Sequence, residues 1–398
     1  MSQPSLWRRL LFPLIPLYGL ALVFRDFRLM LGFETVRQLR FPVISIGNLS
    51  TGGSGKTPLT IALARALIGR GLRVDVLSRG YGRESQFAAR VREKGTAEEF
   101  GDEPLLIVHE AAVPVYVAPQ RYDAGVLAEA DADAERAAWK KEMARRKAEA
   151  EKNPPPPVPP EPARADKPAV KPAGSGEKPA AEPVPSEPAK PEEPPPPPPP
   201  SLAVHLLDDG FQHRQLVRDV NILMLNWQDW QDWLLPAGNL REPADAIHRA
   251  SVLAIPANEP DLEIALHLWG WSGPIWRLNR KMDIPPITGP VAAFCGIARP
   301  EQFFDGLRDA GLEVVLPLAF PDHFTYSSAV LQELVAQARD KEVQSIITTR
   351  KDLLRLGKLI SIFPTSLPLV AARLRVEIES HDAAIDWLVD RVTPKPKR

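Results

Sequence analysis

The stretch Phe41-Pro-Val-Ile-Ser-Ile-Gly-Asn-Leu-Ser-Thr-Gly-Gly-Ser-Gly-Lys-Thr57 constrains this chain more than any other. A β-branched run, Val43 to Ile46, leads into a Gly-rich turn that closes on Gly55-Lys56-Thr57, and an apolar-periodic segment from Leu59 to Leu67 follows directly. The order is strand, phosphate loop, helix. In such a loop the backbone of Ser50, Thr51, Gly52, Gly53, Ser54 and Gly55 lines a polyphosphate. Lys56 reaches the β and γ oxygens, and the Thr57 hydroxyl holds Mg²⁺. The pattern departs from G-x-x-x-x-G-K-[ST] at its first glycine, which is Ser50 here. An ordinary Gly-rich strand–helix turn is the bland alternative. The strand before and the helix after it favour ATP.

A chain of 398 residues with 44% hydrophobic content can bury one large core or two modest ones. A net charge of −1 gives no global attraction to nucleic acid, and no long basic stripe occurs beyond the first forty residues. Cys295 is the only cysteine, which excludes intrachain disulfides and Cys-rich zinc sites and suits a reducing compartment that contains ATP. Proline is concentrated: residues 154–200 hold 21 of the 44 in the chain. Proline lacks an N–H and excludes helix, and few large apolar residues accompany it. The insert at about 133–200 therefore reads as a disordered, partly polyproline-II spacer. The Ala/Lys/Arg/Glu-rich run Ala132 to Lys152 in front reads as a solvated single helix. A ligand for a proline-recognition partner is the alternative for the insert.

Residues 1–40 carry an apolar segment, Leu10 to Phe24, broken by Pro13 and Pro16. It is too short for a spanning helix of ~20 residues, and no small-x-small cleavage site follows it. The reading is a monotopic helix with its apolar face at the lipid boundary and Arg8, Arg9, Arg25 and Arg28 near anionic headgroups. A helix packed on its own domain is the alternative.

Further along, Arg73 to Leu77, Val113 to Val117, Leu202 to Leu207, Val220 to Leu225 and Val252 to Ile255 read as strands. Helices open at Asp102 and near Tyr122. This alternation implies an α/β fold with a mostly parallel sheet. A second, smaller α/β run starts at Val291, behind a cluster of Pro285, Pro286, Gly289 and Pro290. The expectation is a phosphate-loop lobe over 41–280, a boundary near 275–290 and a C-terminal lobe over 281–392.

Asp208-Asp209 ends an apolar strand, where an ATPase places its metal-organising acid; a turn or helix cap at a strand end, which would need only one Asp, is the alternative. Asp102 and Glu103 stand at a helix N-terminus, where they either cap the helix or serve as metal ligand and base. His323, in a Pro-Asp-His-Phe turn, is catalytic only if it pairs with an acid across a cleft. Ser78-Arg79-Gly80-Tyr81-Gly82 and Arg241-Glu242-Pro243 add cations and a ring at strand ends.

The motifs Gly47 to Thr57, Ser78-Arg-Gly-Tyr81, Gly101-Asp-Glu-Pro104, Leu207-Asp-Asp-Gly-Phe-Gln-His213, Leu235-Pro-Ala-Gly-Asn-Leu-Arg-Glu-Pro243, Phe320-Pro-Asp-His323 and Thr348-Thr-Arg-Lys-Asp352 together closely resemble the tetraacyldisaccharide 4′-kinase family of lipid A synthesis. The resemblance covers nearly all of the chain outside roughly 133–200, an insert that the family does not usually carry. It implies a two-lobed phosphate-loop kinase with an N-terminal membrane-associated helix. The implied reaction passes the ATP γ-phosphate to the 4′-hydroxyl of a tetraacylated disaccharide 1-phosphate, at the cytoplasmic face of a Gram-negative inner membrane. By the same resemblance, Lys56 and Thr57 hold phosphate and Mg²⁺, and Asp102 and His323 handle the acceptor hydroxyl. Glu103, Asp208 and Asp209 lie on the magnesium side. Gln212, Arg241 and Glu242 look like active-site residues and Tyr81 a disaccharide contact, while Arg79, at the ligand edge of its strand, is a further substrate-binding candidate. Rival readings are a membrane-associated switch ATPase, whose signature lysine would be Thr51 here, and a nucleotide-dependent scaffold.

Overall fold

The computed structural model describes residues 8, 10–53, 55–152, 197–200 and 202–394. Ser54, Arg9 and the expected spacer at 153–196 lie outside the described residues. In chain order the first half forms α1 (Ile15–Met30), β1 (Val43–Asn48), α2 (Lys56–Gly69), β2 (Arg73–Ser78), β3 (Ala89–Arg90), α3 (Ala97–Phe100), α4 (Asp102–Ala111), β4 (Val115–Val117) and α5 (Arg121–Lys152). Then come β5 (Ala203–Asp208), β6 (Val220–Met224), α6 (Trp227–Trp230), β7 (Val252–Pro256), α7 (Pro260–Leu268) and β8 (Ile275–Asp283). The last part holds β9 (Val291–Cys295), α8 (Pro300–Asp309), β10 (Val314–Ala319), α9 (Ser328–Asp340), β11 (Ser345–Thr349), α10 (Arg350–Leu356), β12 (Leu369–Ile378) and α11 (His381–Val392).

The strands hydrogen-bond in the order β10-β9-β11-β12-β8-β7-β6-β1-β5-β2-β4-β3. Among them only β12/β8 and β4/β3 run antiparallel. Every residue of β1 and β5 is buried, as expected of parallel strands covered on both faces. One face packs Ile44, Ile46, Val204 and Leu206 against Leu59, Leu63 and Leu67 of α2. On the other, Val43, Leu77 and Leu207 meet Tyr116, Ala124 and Ala128. β1 lies between β5 and β6, so the connections leave it in opposite directions along the sheet. Its carboxyl end is thus a topological switch point, where a doubly wound sheet opens a crevice.

Residues 275–290, expected to be a lobe boundary, hold β8 and only then a turn through the Pro/Gly cluster. β8 pairs with β12 from Asp283↔Arg373 to Leu278↔Ile378, and this ribbon joins the two strand sets into one sheet. Its charged residues (Arg277, Arg280, Lys281, Arg373, Arg375) hide the apolar alternation by which a strand is read. The second compact unit, Ala132–Pro199, contains the solvated end of α5. There Glu142 pairs with Arg145 and Arg146, as in a helix supported by its own surface ion pairs.

Candidate active site

The ends of β1, β2, β5, β6, β7, β9 and β11 open on one cleft of about 1650 Å³. Its lining includes Thr51, Gly52, Gly53, Gly55, Lys56 and Thr57. Gly55 precedes α2 with φ 88°, a left-handed conformation that lets the chain turn into the helix at no Cβ cost. Lys56 Nζ donates to Asn48 Oδ1 (2.9 Å) and stands 3.4 Å from Asp209 Oδ1. Ser50, at the missing glycine, is fully buried, and its Oγ accepts from Asn48 Nδ2 (3.0 Å). It therefore shapes the loop from behind and does not line the cleft. Thr51 N–H donates to Asn239 O (2.8 Å), which ties the loop to the Leu235–Pro243 segment.

Asp208 ends β5 and accepts from the Thr60 hydroxyl (3.1 Å). Burial, with Asp209 and Glu103 adding to it, pushes its carboxyl up to about 7. Burial also raises Asp209, but Lys56 and Arg241 outweigh it and bring that carboxyl below its ordinary value. Arg241 Nη1 reaches Asp209 Oδ2 at 3.1 Å. The residues present fit Mg²⁺: Asp208 is a buried acid beside a phosphate loop, with Asp209 and Glu103 adding negative charge around it. Among the described residues no group of three or more His, Cys, Asp or Glu could hold a metal by itself. Mg²⁺ typically takes one or two carboxylates and completes its shell with phosphate and water, and Asp208 and Thr57 both line the cleft. Glu103, expected on the magnesium side, lines the cleft and accepts from Lys351 Nζ (2.6 Å).

The second constellation faces the first. Gly101 (φ 89°) precedes α4, and a Cβ there would lie 2.9 Å from Tyr81 O. That close approach puts Asp102 at the helix start behind the Arg79–Tyr81 turn. His323, after β10, donates from Nδ1 to Asp102 Oδ2 at 2.9 Å, across 221 residues of sequence. Arg355 Nε donates to the same oxygen at 2.6 Å. Burial works to raise Asp102, but His323 and Arg355 hold it down at about 2. Asp209 (φ 49°) and His323 (φ 59°) are two of four non-glycine residues with positive φ among those described. Strained backbone of this kind, ~1–3 kcal/mol each, clusters at functional sites.

Arg79, Tyr81 and Arg241 line the cleft, and the Tyr81 ring lies 5.2 Å from that of His323. Gln212 sits behind them, donating to Asn48 O (2.8 Å) and accepting from Arg241 (3.3 Å). Glu242 corrects the expectation: it is 1% exposed, outside the cleft lining, and bound by Arg25 (2.5 Å) and Arg249. Arg25, expected at lipid headgroups, is thus an anchor of α1, as is Tyr18, whose hydroxyl donates to Arg241 O (3.0 Å). α1 buries no residue, and Leu17, Leu20, Val23, Phe24 and Phe27 are exposed. No helix among the described residues is long and apolar enough to cross a membrane.

Arg121, Lys351 and Arg355 were not foreseen. Arg121 is 7% exposed with no hydrogen bond at Nε among the described residues, and burial lowers its pKa to about 10. Lys351 lay within a motif already singled out, but its partner Glu103 is 248 residues away. Arg355 lies beyond that motif, and no local pattern marks it.

Comparison with known proteins decides the family. The sequence profile described as LpxK, tetraacyldisaccharide-1-P 4′-kinase, matches residues 7–137 and 199–393. The chain belongs to the tetraacyldisaccharide 4′-kinase family. It is 33% identical over 388 residues to the tetraacyldisaccharide 4′-kinase of Koribacter versatilis, covering 95% of this chain and 97% of that protein. The Aquifex aeolicus kinase is 31% identical over 370 residues, covering 89% and 92%. A crystal structure titled the "apo" form of LpxK from Aquifex aeolicus in complex with ATP superposes with a TM-score of 0.63 at 28% identity, covering 98% of this chain and 100% of that one. The family match skips residues 138–198, which fall within the Ala132–Pro199 unit.

Proposed function

We propose that this chain transfers the γ-phosphate of ATP to the 4′-hydroxyl of a tetraacyldisaccharide 1-phosphate, giving the 4′-phosphorylated lipid A intermediate. One observation carries the reading: His323, hydrogen-bonded to the buried Asp102 behind it, lines the same cleft as Lys56, Asp208 and Asp209 of the phosphate site. ATP lies along the phosphate loop, with Lys56 on its β and γ oxygens. Thr57 and Asp208 would hold Mg²⁺, which when bound neutralises charge on the transferring phosphoryl group. Asp209 orients Lys56 and Arg241. The hydroxyl oxygen bonds to the γ-phosphorus as the bond to the β–γ bridging oxygen breaks, and ADP leaves.

The hydroxyl's proton passes to the Asp102–His323 pair. Asp102, held ionised by His323 and Arg355, fixes the imidazole through Nδ1. Base assistance of this kind is typically worth ~10²–10⁴ in rate. Tyr81 and Arg79 sit where the disaccharide would lie against the pair. The two strand sets joined by the β8/β12 ribbon act as lobes that close on the substrates. α1 lies at the cytoplasmic face of the inner membrane with its exposed apolar residues in the lipid boundary, so the enzyme meets an acylated substrate where that substrate resides.

The test is an assay with ATP labelled at the γ position and tetraacyldisaccharide 1-phosphate in detergent. Label on the lipid, dependent on Mg²⁺, is the expected result. Label released only as inorganic phosphate would favour a switch ATPase and overturn the proposal.

A further inference from the structure

Arg355 ties the Asp102–His323 pair to the C-terminal strand set in a way that the chemistry above does not use. Its side chain is 6% exposed on α10. The guanidinium points in two directions at once. Nε (2.6 Å) and Nη2 (2.5 Å) both meet Asp102 Oδ2, while Nη1 donates to Gly296 O (2.6 Å) and to Asp352 Oδ1 (2.9 Å).

Asp352 is itself locked. It is fully buried, and its Oδ1 also accepts from Gly296 N (3.1 Å) and the Tyr326 hydroxyl (3.0 Å). Its Oδ2 accepts from the Thr349 hydroxyl (2.6 Å). Gly296 directly, and Tyr326 and Thr349 through Asp352, therefore set the plane of one guanidinium. That plane sets Asp102, which arrives from the phosphate-loop side of the sheet.

We infer that Arg355, held by Asp352 and Tyr326, is the positioning residue that clamps Oδ2 of Asp102 so that the Asp102–His323 pair keeps one orientation toward the acceptor hydroxyl. Arg355 and His323 converge on Oδ2, and among the described residues no hydrogen bond goes to Oδ1. Without the clamp, Asp102 can rotate about its side chain and the Nδ1 contact is lost for part of the time. Lysine cannot replace it. An ammonium is a point charge without the planar fork that reaches Asp102 on one edge and Gly296 and Asp352 on the other. Misplacing catalytic groups by an ångström can cost ~10²-fold in rate while ground-state binding survives.

This inference rests on the proposed role of the Asp102–His323 pair, so the experiment measures the pair alongside it. Arg355→Lys should lower kcat 10- to 100-fold, leave KM for ATP and for lipid within about three-fold, and retain a cooperative thermal transition. Combined with His323→Ala, it should add little to the loss from His323→Ala alone, because groups acting as one unit are non-additive. Tyr326→Phe keeps the core volume, removes one donor from Asp352, and serves should Arg355→Lys not fold. It should lower kcat several-fold with both KM values unchanged. Full kcat in the folded variant tested, or a loss that multiplies onto that of His323→Ala, would overturn the clamp while Asp102→Asn and His323→Ala still fail. Normal kcat in Asp102→Asn and His323→Ala would instead overturn the pair itself, and the clamp with it.

Discussion

At the residue scale, the charges of the site are arranged so that two neighbouring acids behave in opposite ways. Asp209 faces Lys56 and Arg241, which bring it below its ordinary value, whereas Asp208 accepts from Thr60 and, among the described residues, has no cation at hydrogen-bond distance. An acid whose folded pKa is raised to about 7 costs stability once the pH exceeds its unfolded value, and the cost grows until the pH passes 7. Asp208→Asn should therefore stabilise the metal-free protein at pH 8 by on the order of 1–3 kcal/mol and abolish transfer. Thermal unfolding without a gain, or activity that survives, would remove Asp208 from the metal site. Asp102 has the reverse sign. Its folded value of about 2 lies below the unfolded one, so its contribution is complete above about pH 4 and is lost as the pH falls through 2. That contribution is about 2–3 kcal/mol. Acid unfolding of Asp102→Asn should be less steep than wild type between pH 4 and 2. Lys56→Ala should cut turnover by on the order of 10²–10⁴ in a folded protein, because its task is electrostatic. Near-normal lipid phosphorylation by that variant would contradict the phosphate-loop assignment.

At the scale of elements, α1 has two faces with different jobs. Its polar side is tied to the body by Arg25–Glu242, Asp26–Arg214 and the Tyr18 hydroxyl, all close in sequence or space to Arg241. Its apolar side has Leu20, Val23 and Phe24 each at least 60% exposed and is the face we propose for lipid contact. Replacing those three residues by Ser should weaken sedimentation with anionic vesicles and raise KM for lipid far more than KM for ATP. Unchanged sedimentation would mean that the lipid contact lies elsewhere. Glu242→Ala acts differently, because it leaves Arg25 and Arg249 partly buried without their carboxylate. Breaking a buried pair on one side costs roughly 3–5 kcal/mol, so that variant should melt earlier and expose α1 to protease.

At the scale of the whole molecule, the strand order sets the site. β1 stands where the sheet's connections reverse, and the β8/β12 ribbon continues the sheet, so that ends of β9 and β11 reach the same cleft as ends of β1 and β5. The Ala132–Pro199 unit contributes no residue to that cleft among those described. Replacing about residues 140–198 with a short Gly/Ser linker should leave lipid kinase activity within a few-fold, since loop closure changes by only ~0.6 kcal/mol per doubling of length. A collapse of activity or of cooperative unfolding would show that the segment docks on the rest of the chain.

Sequence alone determined what is local. Residues 41–57 encode strand, glycine turn and helix within one short span, because backbone conformation there follows from β-branching, missing Cβ atoms and apolar period. Asp208 and Asp209 were legible for the same reason, at the end of an apolar run. The family, too, could be read from the joint presence of seven short motifs. Tertiary structure decided what depends on partners far along the chain. His323 meets Asp102 across 221 residues, Lys351 meets Glu103 across 248, and Arg355 meets Asp102 across 253. Glu242 changed role for this reason: its neighbour Arg241 faces the cleft, while its own side chain turns inward to Arg25, 217 residues earlier. β8 and β12 escaped the pattern because they carry the cleft's charges on strands, and register between them exists only once the sheet has formed. Period and propensity report what a residue does to its own backbone; ion pairs across a fold are set by which strand ends the topology brings together.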